Sequence, residues 1–284
     1  MTRIIDSLSE ISDAYDALYC DLWGCLHDGV RALDDAVAAL RLYKGRGGQV
    51  VLLSNSPRPA GEVARQIAGF GVPEDCWDQI VTSGDAAQRA MFAGAAGRRV
   101  WFVGVEETLP FFDPPEGLDD AARIERVPLE EATGIVCTGP FDTHADPETM
   151  RPEFESAIAR GLPFLCANPD IVVDRGGQRE WCAGALAHLY EKMGGKVLSF
   201  GKPEAAVYDL AGDTLADGAR VLAVGDGIAT DILGAARQGI DALFVTGGLA
   251  RQETRTMVQP DVAALAAYLE AHGAAPAFAI GALR

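Results

Sequence analysis

No apolar run in this chain approaches the roughly 18–20 residues that a helix needs to cross a membrane. The first ten residues, Met1–Glu10, carry Asp6 and Glu10 and lack the apolar stretch of a signal peptide. Basic residues are scarce: 24 Lys and Arg stand against 41 Asp and Glu, a formal net charge of −17. That balance disfavours nucleic acid and anionic membrane surfaces as partners, because both call for a basic face. A small anionic ligand stays open, since one metal ion or one lysine outweighs a distant field. The glycine signatures of nucleotide enzymes are missing too. No G-x-G-x-x-G fits, because GDGIAT at 225–230 has Thr where the third Gly belongs. Neither GxxxxGK[ST] nor G-x-S-x-G occurs, which argues against a P-loop enzyme and an esterase-type serine hydrolase. The six cysteines form no C-x-x-C pair, and Cys20, Cys137 and Cys166 lie in apolar runs. Reduced, mostly buried thiols and a cytoplasmic location are expected.

What is present is an α/β pattern. The 284 residues, 49% of them hydrophobic, suffice for one large domain or two ordinary ones. Short β-rich runs alternate with helical patterns, which predicts parallel strands joined by crossover helices. Core strands are expected at Ala17–Leu22, Gln49–Ser54, Gln79–Thr82, Val197–Phe200, Arg220–Val224 and Ala242–Val245. Their near-continuous apolar content suits strands covered on both faces. Helices are expected at Asp34–Lys44, Ala60–Ala68, Glu204–Leu210, Thr230–Gln238 and Asp261–His272, with Gly45, Gly69 and Gly239 at C-termini. A second strand set, at Arg99–Val103, Ile124–Val127, Ile135–Thr138 and Pro163–Cys166, marks an insertion. Pro110–Leu118 reads as a loop within it. The domains are therefore expected at 1–83 with 181–284 and, inserted between them, 84–180.

Four features recur at strand C-terminal ends, where open α/β sheets place ligands. Asp21, in YCDLWGCLHDG, can attack phosphorus as a carboxylate nucleophile, or it can merely cap a turn. Ser54, Asn55 and Ser56 follow VVLL and can hold phosphate oxygens, or form an ordinary loop before Pro57. Lys202, in SFGKPE, is a compact charge suited to a phosphoryl group, although a lone surface Lys is the commoner outcome. Asp226 and Asp231, in VLAVGDGIATDILGA, can join Asp21 around a hard cation such as Mg²⁺, or serve as a turn residue and a helix cap. In this order the set supplies a nucleophile, charge neutralisation and positioning for phosphoryl transfer.

On these residues the chain resembles the haloacid dehalogenase superfamily. Asp21, Ser54, Lys202 and the Gly225-Asp226…Thr230-Asp231 pair match its four motifs in turn. SNSPR at 54–58, CTGPFD at 137–142 and ANPD at 167–170 are similar to subclass IIA, which contains p-nitrophenyl-phosphate, sugar-phosphate and nucleotide phosphatases. The resemblance implies a Rossmann-like, doubly wound parallel core with an inserted α/β type 2 cap that chooses the substrate. It implies Mg²⁺ held by Asp21, Asp226, Asp231 and the Trp23 carbonyl, with catalysis by Asp21, Lys202 and Ser54. Substrate or phosphate contacts are then expected from Asn55, Ser56, Arg58, Asn168 and Asp170. One position departs from the pattern. The family's second acid, two residues after the nucleophile, is Trp23 here, as in a DLWGxxHDG branch of sugar phosphatases. An indole exchanges no proton at neutral pH, so His27 or Asp28 becomes the candidate for proton transfer. The expected function is a Mg²⁺-dependent phosphatase of a small phosphorylated metabolite. The alternative is a weak or silent domain of the same fold, acting as a phosphotransferase or a phospho-metabolite binder. A homodimer is left open.

Overall fold

The computed structural model describes residues 2–114, 123–175 and 178–284. After a short strand, Arg3–Ile4 (β1), the apolar runs Ala17–Cys20 (β2), Gln49–Ser54 (β3) and Gln79–Thr82 (β4) become strands. The amphipathic helices Asp34–Gly45 (α1) and Ala60–Gly69 (α2) connect them. Beyond helix Ser83–Phe92 (α3) the chain builds a second sheet from Arg99–Val103 (β5), Glu125–Arg126 (β6), Gly134–Cys137 (β7) and Phe164–Cys166 (β8), with helix Arg151–Ala159 (α4) before β8. A hairpin of Val172–Arg175 (β9) and Gln178–Trp181 (β10) follows, then helix Ala183–Lys192 (α5) and strand Val197–Ser199 (β11). The return to the first sheet runs through Ala205–Gly212 (α6), Val221–Gly225 (β12), Leu233–Gln238 (α7), Asp241–Val245 (β13), Val262–Ala271 (α8) and Phe278–Ile280 (β14).

The first sheet has the order β1-β14-β13-β12-β2-β3-β4, and every pairing in it is parallel. Its strands alternate faces with period two. Leu18, Cys20, Val50 and Leu52 pack one way, against Val37 and Leu40 of α1 and Val63 and Ile67 of α2. Tyr19, Val51 and Leu53 point the other way, onto Val207, Tyr208 and Ala211 of α6. Burial of each such Leu contributes about 1.5–3 kcal/mol. The second sheet, β11-β8-β7-β5-β6, is covered likewise. Ile135, Cys137 and Phe164 meet Phe154 of α4 and Tyr190 of α5, while Val136 and Leu165 meet Ala87 and Met91 of α3.

Three expectations change. Val197–Ser199 is not a strand of the first sheet; it pairs in parallel with β8 at the edge of the second. A short apolar run carries no label for the sheet it joins, so only tertiary pairing decides this. The unit built on the second sheet therefore runs to β11, and the boundary expected at 180/181 falls inside it. Of the loop expected over Pro110–Leu118, the first part belongs to a 3₁₀ helix, Glu106–Phe112, and residues 115–118 lie outside the described residues. Thr230 lies in a π-type turn, Ile228–Ile232, and α7 starts only at Leu233.

Candidate active site

β2 and β12 are neighbours at the centre of the first sheet, and each is followed at once by an aspartate, Asp21 and Asp226. The chain goes from β2 towards β3 and β4 on one side, whereas β12 and later strands fill the other. Such a reversal opens a crevice at the carboxyl ends of the strands. A cavity of about 730 Å³ lies there, lined among others by Asp21, Trp23, Asp28, Asp170, Asp226 and Asp231.

Lys202 reaches this crevice on the segment returning from β11. Its ammonium lies 2.8 Å from Asp21 Oδ1 and 2.7 Å from Asp231 Oδ1, and the residue is 2% exposed. Asn55 fixes that segment. Its Oδ1 accepts the Lys202 N–H at 2.7 Å, and its Nδ2 donates to the Lys202 carbonyl at 3.1 Å and to Asp170 Oδ1 at 2.8 Å. Asp231 also accepts the Gly227 N–H at 3.1 Å. Asp226, 6% exposed, accepts the Leu249 N–H at 2.9 Å through Oδ2 and forms no ion pair among the described residues. Backbone approaches this carboxylate closely. A Cβ on Gly24, whose φ is +72°, would fall 2.3 Å from Asp226 Oδ2, and one on Gly248 would fall 1.9 Å from it. Glycine is required at both places.

The electrostatics are lopsided. Burial, then the repulsion of Asp21 and Asp231, drives the Asp226 carboxyl well above the usual range. Burial raises Asp231 to about 6 against the pull of Lys202. Asp21 and Asp170 are raised by burial in the same way, with Lys202 opposing. For Lys202 burial works downward, and the three acids Asp21, Asp231 and Asp170 overcome it and lift the ammonium well above its usual value. One cation among four enclosed acids leaves surplus negative charge, which a divalent cation with oxygen ligands would neutralise. The donor set therefore fits Mg²⁺.

Not every expected residue reaches the cavity. Ser54 ends β3, with its hydroxyl oxygen accepting the Ser56 N–H at 3.1 Å. Ser56 accepts the Arg58 N–H at 3.2 Å, and its carbonyl binds the Gly84 N–H. Ser54, Asn55, Ser56, Arg58 and Asn168 do not line the cavity. Asn55 spends its amide on Lys202 and Asp170, so it positions the lysine and has no donor left for a phosphate. Asn168 Oδ1 accepts the Asp170 N–H at 3.1 Å and shapes the turn that carries Asp170 inward.

His27 is corrected most clearly as a proton-transfer candidate. The ring is fully buried, packed edge-on against Trp23 and Phe70 with centroids 5.1 Å away. Its Nδ1 accepts the Gly29 N–H, which leaves the proton on Nε2, and Nε2 has no partner. Burial lowers its pKa to about 4. Asp28 does line the cavity, but the backbone N–H groups of Arg31 and Val30 hold it below the usual carboxylate range. It is a carboxylate at neutral pH and no proton donor.

Sequence reasoning missed the β9–β10 hairpin, which brings Val172, Val173, Asp174 and Arg179 to the cavity wall. Arg175 sets its guanidinium 5.0 Å from the Trp23 ring centroid. The signal was available: two short β-type runs flank Gly176-Gly177, a hairpin signature. The Gly247-Gly248 pair after β13 was a similar cue for the Leu249 contact.

A half-buried carboxylate at a strand end, bridged by lysine to a second acid and close to a third, is an arrangement suited to phosphoryl transfer. Comparison with known proteins agrees. The model of haloacid dehalogenase-like hydrolases matches residues 18–113, and a second one, described as HAD-hydrolase-like, matches residues 199–271. A crystal structure of a haloacid dehalogenase-like family hydrolase from Brucella suis 1330 superposes with a TM-score of 0.85 at 36% identity, covering 99% of this chain and 100% of that one. The 5'-nucleotidase YutF of Bacillus subtilis (strain 168) is 24% identical over 252 residues, 85% of this chain and 91% of the relative. A glycerol phosphate phosphatase from Mycobacterium tuberculosis, in complex with magnesium, has a TM-score of 0.63 at 26% identity, covering 86% of this chain and 71% of that one. The chain belongs to the haloacid dehalogenase-like hydrolase family, and its phosphatase relatives agree with subclass IIA.

Proposed function

We propose that this protein is a magnesium-dependent phosphatase that hydrolyses a small phosphomonoester, a sugar phosphate or a nucleotide, through an aspartyl-phosphate on Asp21. Membership of the hydrolase family, together with phosphatase relatives, makes it a phosphoric monoester hydrolase. The observation that carries the finer reading is the bridge of Lys202 between Asp21 and Asp231, with Asp226 unpaired beside them.

Lys202 holds Asp21 Oδ1, which leaves Oδ2 to attack phosphorus. The bond from phosphorus to the ester oxygen breaks as the new one forms. Water then attacks the aspartyl-phosphate and returns Asp21 as a carboxylate. Lys202 offsets the repulsion between the anionic substrate and the nucleophile, while Ser54, whose hydroxyl oxygen accepts the Ser56 N–H, shapes the loop after β3. Mg²⁺, when bound by Asp21, Asp226, the Trp23 carbonyl and Asp231, supplies charge stabilisation on the transferring oxygens. None of the three residues considered for protonating the leaving oxygen is suited to it: position 23 is Trp, His27 is buried, and Asp28 stays ionised. A positioned acid is worth about 10²–10⁴-fold in rate. The proposed substrates therefore have oxygens that leave with a proton from solvent. The free, buried cysteines suit a reducing compartment, and the cytoplasm is the proposed location.

The test is phosphate release from p-nitrophenyl phosphate and a panel of sugar and nucleotide monophosphates, with Mg²⁺ and with EDTA. We expect metal-dependent release that falls at least about 10³-fold in Asp21→Asn. Full turnover in that variant would end the mechanism. The indole at position 23 favours a second reading, a binder or phosphotransferase. Folded protein that binds Mg²⁺ and releases no phosphate would move the assignment there.

A further inference from the structure

Cys25 lies four residues after Asp21, on the loop where Gly24 crosses the Asp226 carboxylate. Its thiol is fully buried and has no hydrogen-bond partner among the described residues, unlike Cys20, Cys76, Cys137 and Cys166, which donate to carbonyls. Its Sγ and one carboxylate oxygen from each of Asp21 and Asp226 all lie within 4.8 Å of one another. Asp226 brings a second unspent donor, because only its Oδ2 is engaged, by the Leu249 N–H. A buried thiol and a buried, unpaired carboxylate thus converge on one point. Asp21 and Asp226 line the cavity, whereas Cys25 lies beneath its floor.

Hard cations such as Mg²⁺ leave a thiol untouched, since they take oxygen ligands in octahedral geometry. Borderline and soft cations behave differently: Zn²⁺ and Cd²⁺ accept a mixed set of thiolate and carboxylate, commonly in a tetrahedral arrangement. We propose that Cys25, Asp21 and Asp226 form a site for a thiophilic divalent cation of the zinc class, on the floor side of Asp21, that competes with Mg²⁺ and silences the nucleophile. Binding releases the Cys25 proton to solvent, and the ion takes its remaining position from water. No oxidation or reduction is involved. An ion held there engages the Asp21 carboxylate that would otherwise attack phosphorus. The inference rests on the proposed function for the meaning of Asp21, but its own chemistry is readable without turnover.

The experiment titrates Cd²⁺ into the metal-free full chain and follows thiolate-to-metal charge-transfer absorption in the ultraviolet, beside Cys25→Val, Cys25→Ser and Asp226→Asn. Valine keeps the site apolar and serine keeps the size of the buried thiol, and circular dichroism checks that each variant is folded. The expected result is one equivalent of charge-transfer signal that is lost in both Cys25 variants and at least tenfold weaker in affinity in Asp226→Asn. Zn²⁺ should abolish Mg²⁺-dependent turnover in the native chain at a concentration that spares Cys25→Val. Absence of the band in the native chain, or its survival in a folded Cys25 variant, would overturn the proposal. A band present in a protein without phosphatase activity would support the site while the enzymatic reading fails.

Discussion

At the residue scale, two aromatic rings decide what the nucleophile can be helped by. Trp23 stands where an acid would be, and it is packed between the edge of His27 and the guanidinium of Arg175. His27, beneath it, is a neutral imidazole kept neutral by burial. Its charge state still matters, because the unfolded chain has a histidine near 6.5 whereas the folded one lies at about 4. A lowered pKa means the fold favours the unprotonated ring. The stabilisation is complete above pH 6.5, drains away as pH falls towards 4, and is spent below that. Over this window it amounts to about 3 kcal/mol. His27→Asn offers an acceptor near the place of Nδ1 without a titrating ring. Urea unfolding from pH 7 to pH 4 should show the native chain losing about that much more stability than the variant. Parallel curves would remove His27 as the cause.

At the scale of elements, the hairpin of β9 and β10 carries Val172, Val173, Asp174 and Arg179 to the cavity wall. Asp174 and Arg179 are paired directly across its two strands, with bonds of 2.8 and 2.9 Å. Arg179 is exposed and Asp174 half-exposed, so the pair adds little to folding, below about 1 kcal/mol. Its place on the cavity wall gives it another use. Arg179 can turn a donor from Asp174 to an anionic or hydroxyl-bearing substrate. Arg179→Ala should leave thermal unfolding within a few degrees of the native chain and raise KM about tenfold for the best substrate of the phosphatase panel, with kcat little changed. An unchanged KM would place recognition elsewhere on the wall.

At the scale of the whole molecule, the Asn55 side chain ties the two sheets together at the site. Asn55 comes from the end of β3 in the first sheet, Asp170 from the turn after β8 in the second, and Lys202 from the strand-to-helix return between them. Removing that amide leaves a buried Lys202 N–H and carbonyl without their partners. Each such loss costs about 1–3 kcal/mol. Asn55→Ala should therefore lower stability by at least that amount and reduce phosphate release as Lys202 loses its fixed place beside Asp21. A variant of native stability and full turnover would show that the lysine is held by its acids alone.

Much of this was legible in the chain itself. β3, β4 and β5 lie where the apolar runs put them, because a continuous run of Val, Leu and Ile bounded by polar residues has few other uses. Asp21 and Asp226 stood out because each follows such a run, and Asp231 because it opens the next helical pattern. Gly239, in the left-handed conformation at the end of α7, was readable from its local chemistry alone. What the chain did not disclose depends on partners distant in sequence. Val197–Ser199 looks like any buried strand, and only its pairing with β8 assigns it to the second sheet. Asn55 reads as a phosphate ligand until Lys202, 147 residues later, takes its amide. His27 reads as a proton carrier until Phe70 and Trp23 close over it. Local sequence fixes which residues can end a strand or cap a helix, because those are contacts with near neighbours. Burial and long-range hydrogen bonds fix which of those residues remain free to react, and these come into being only when the two sheets pack.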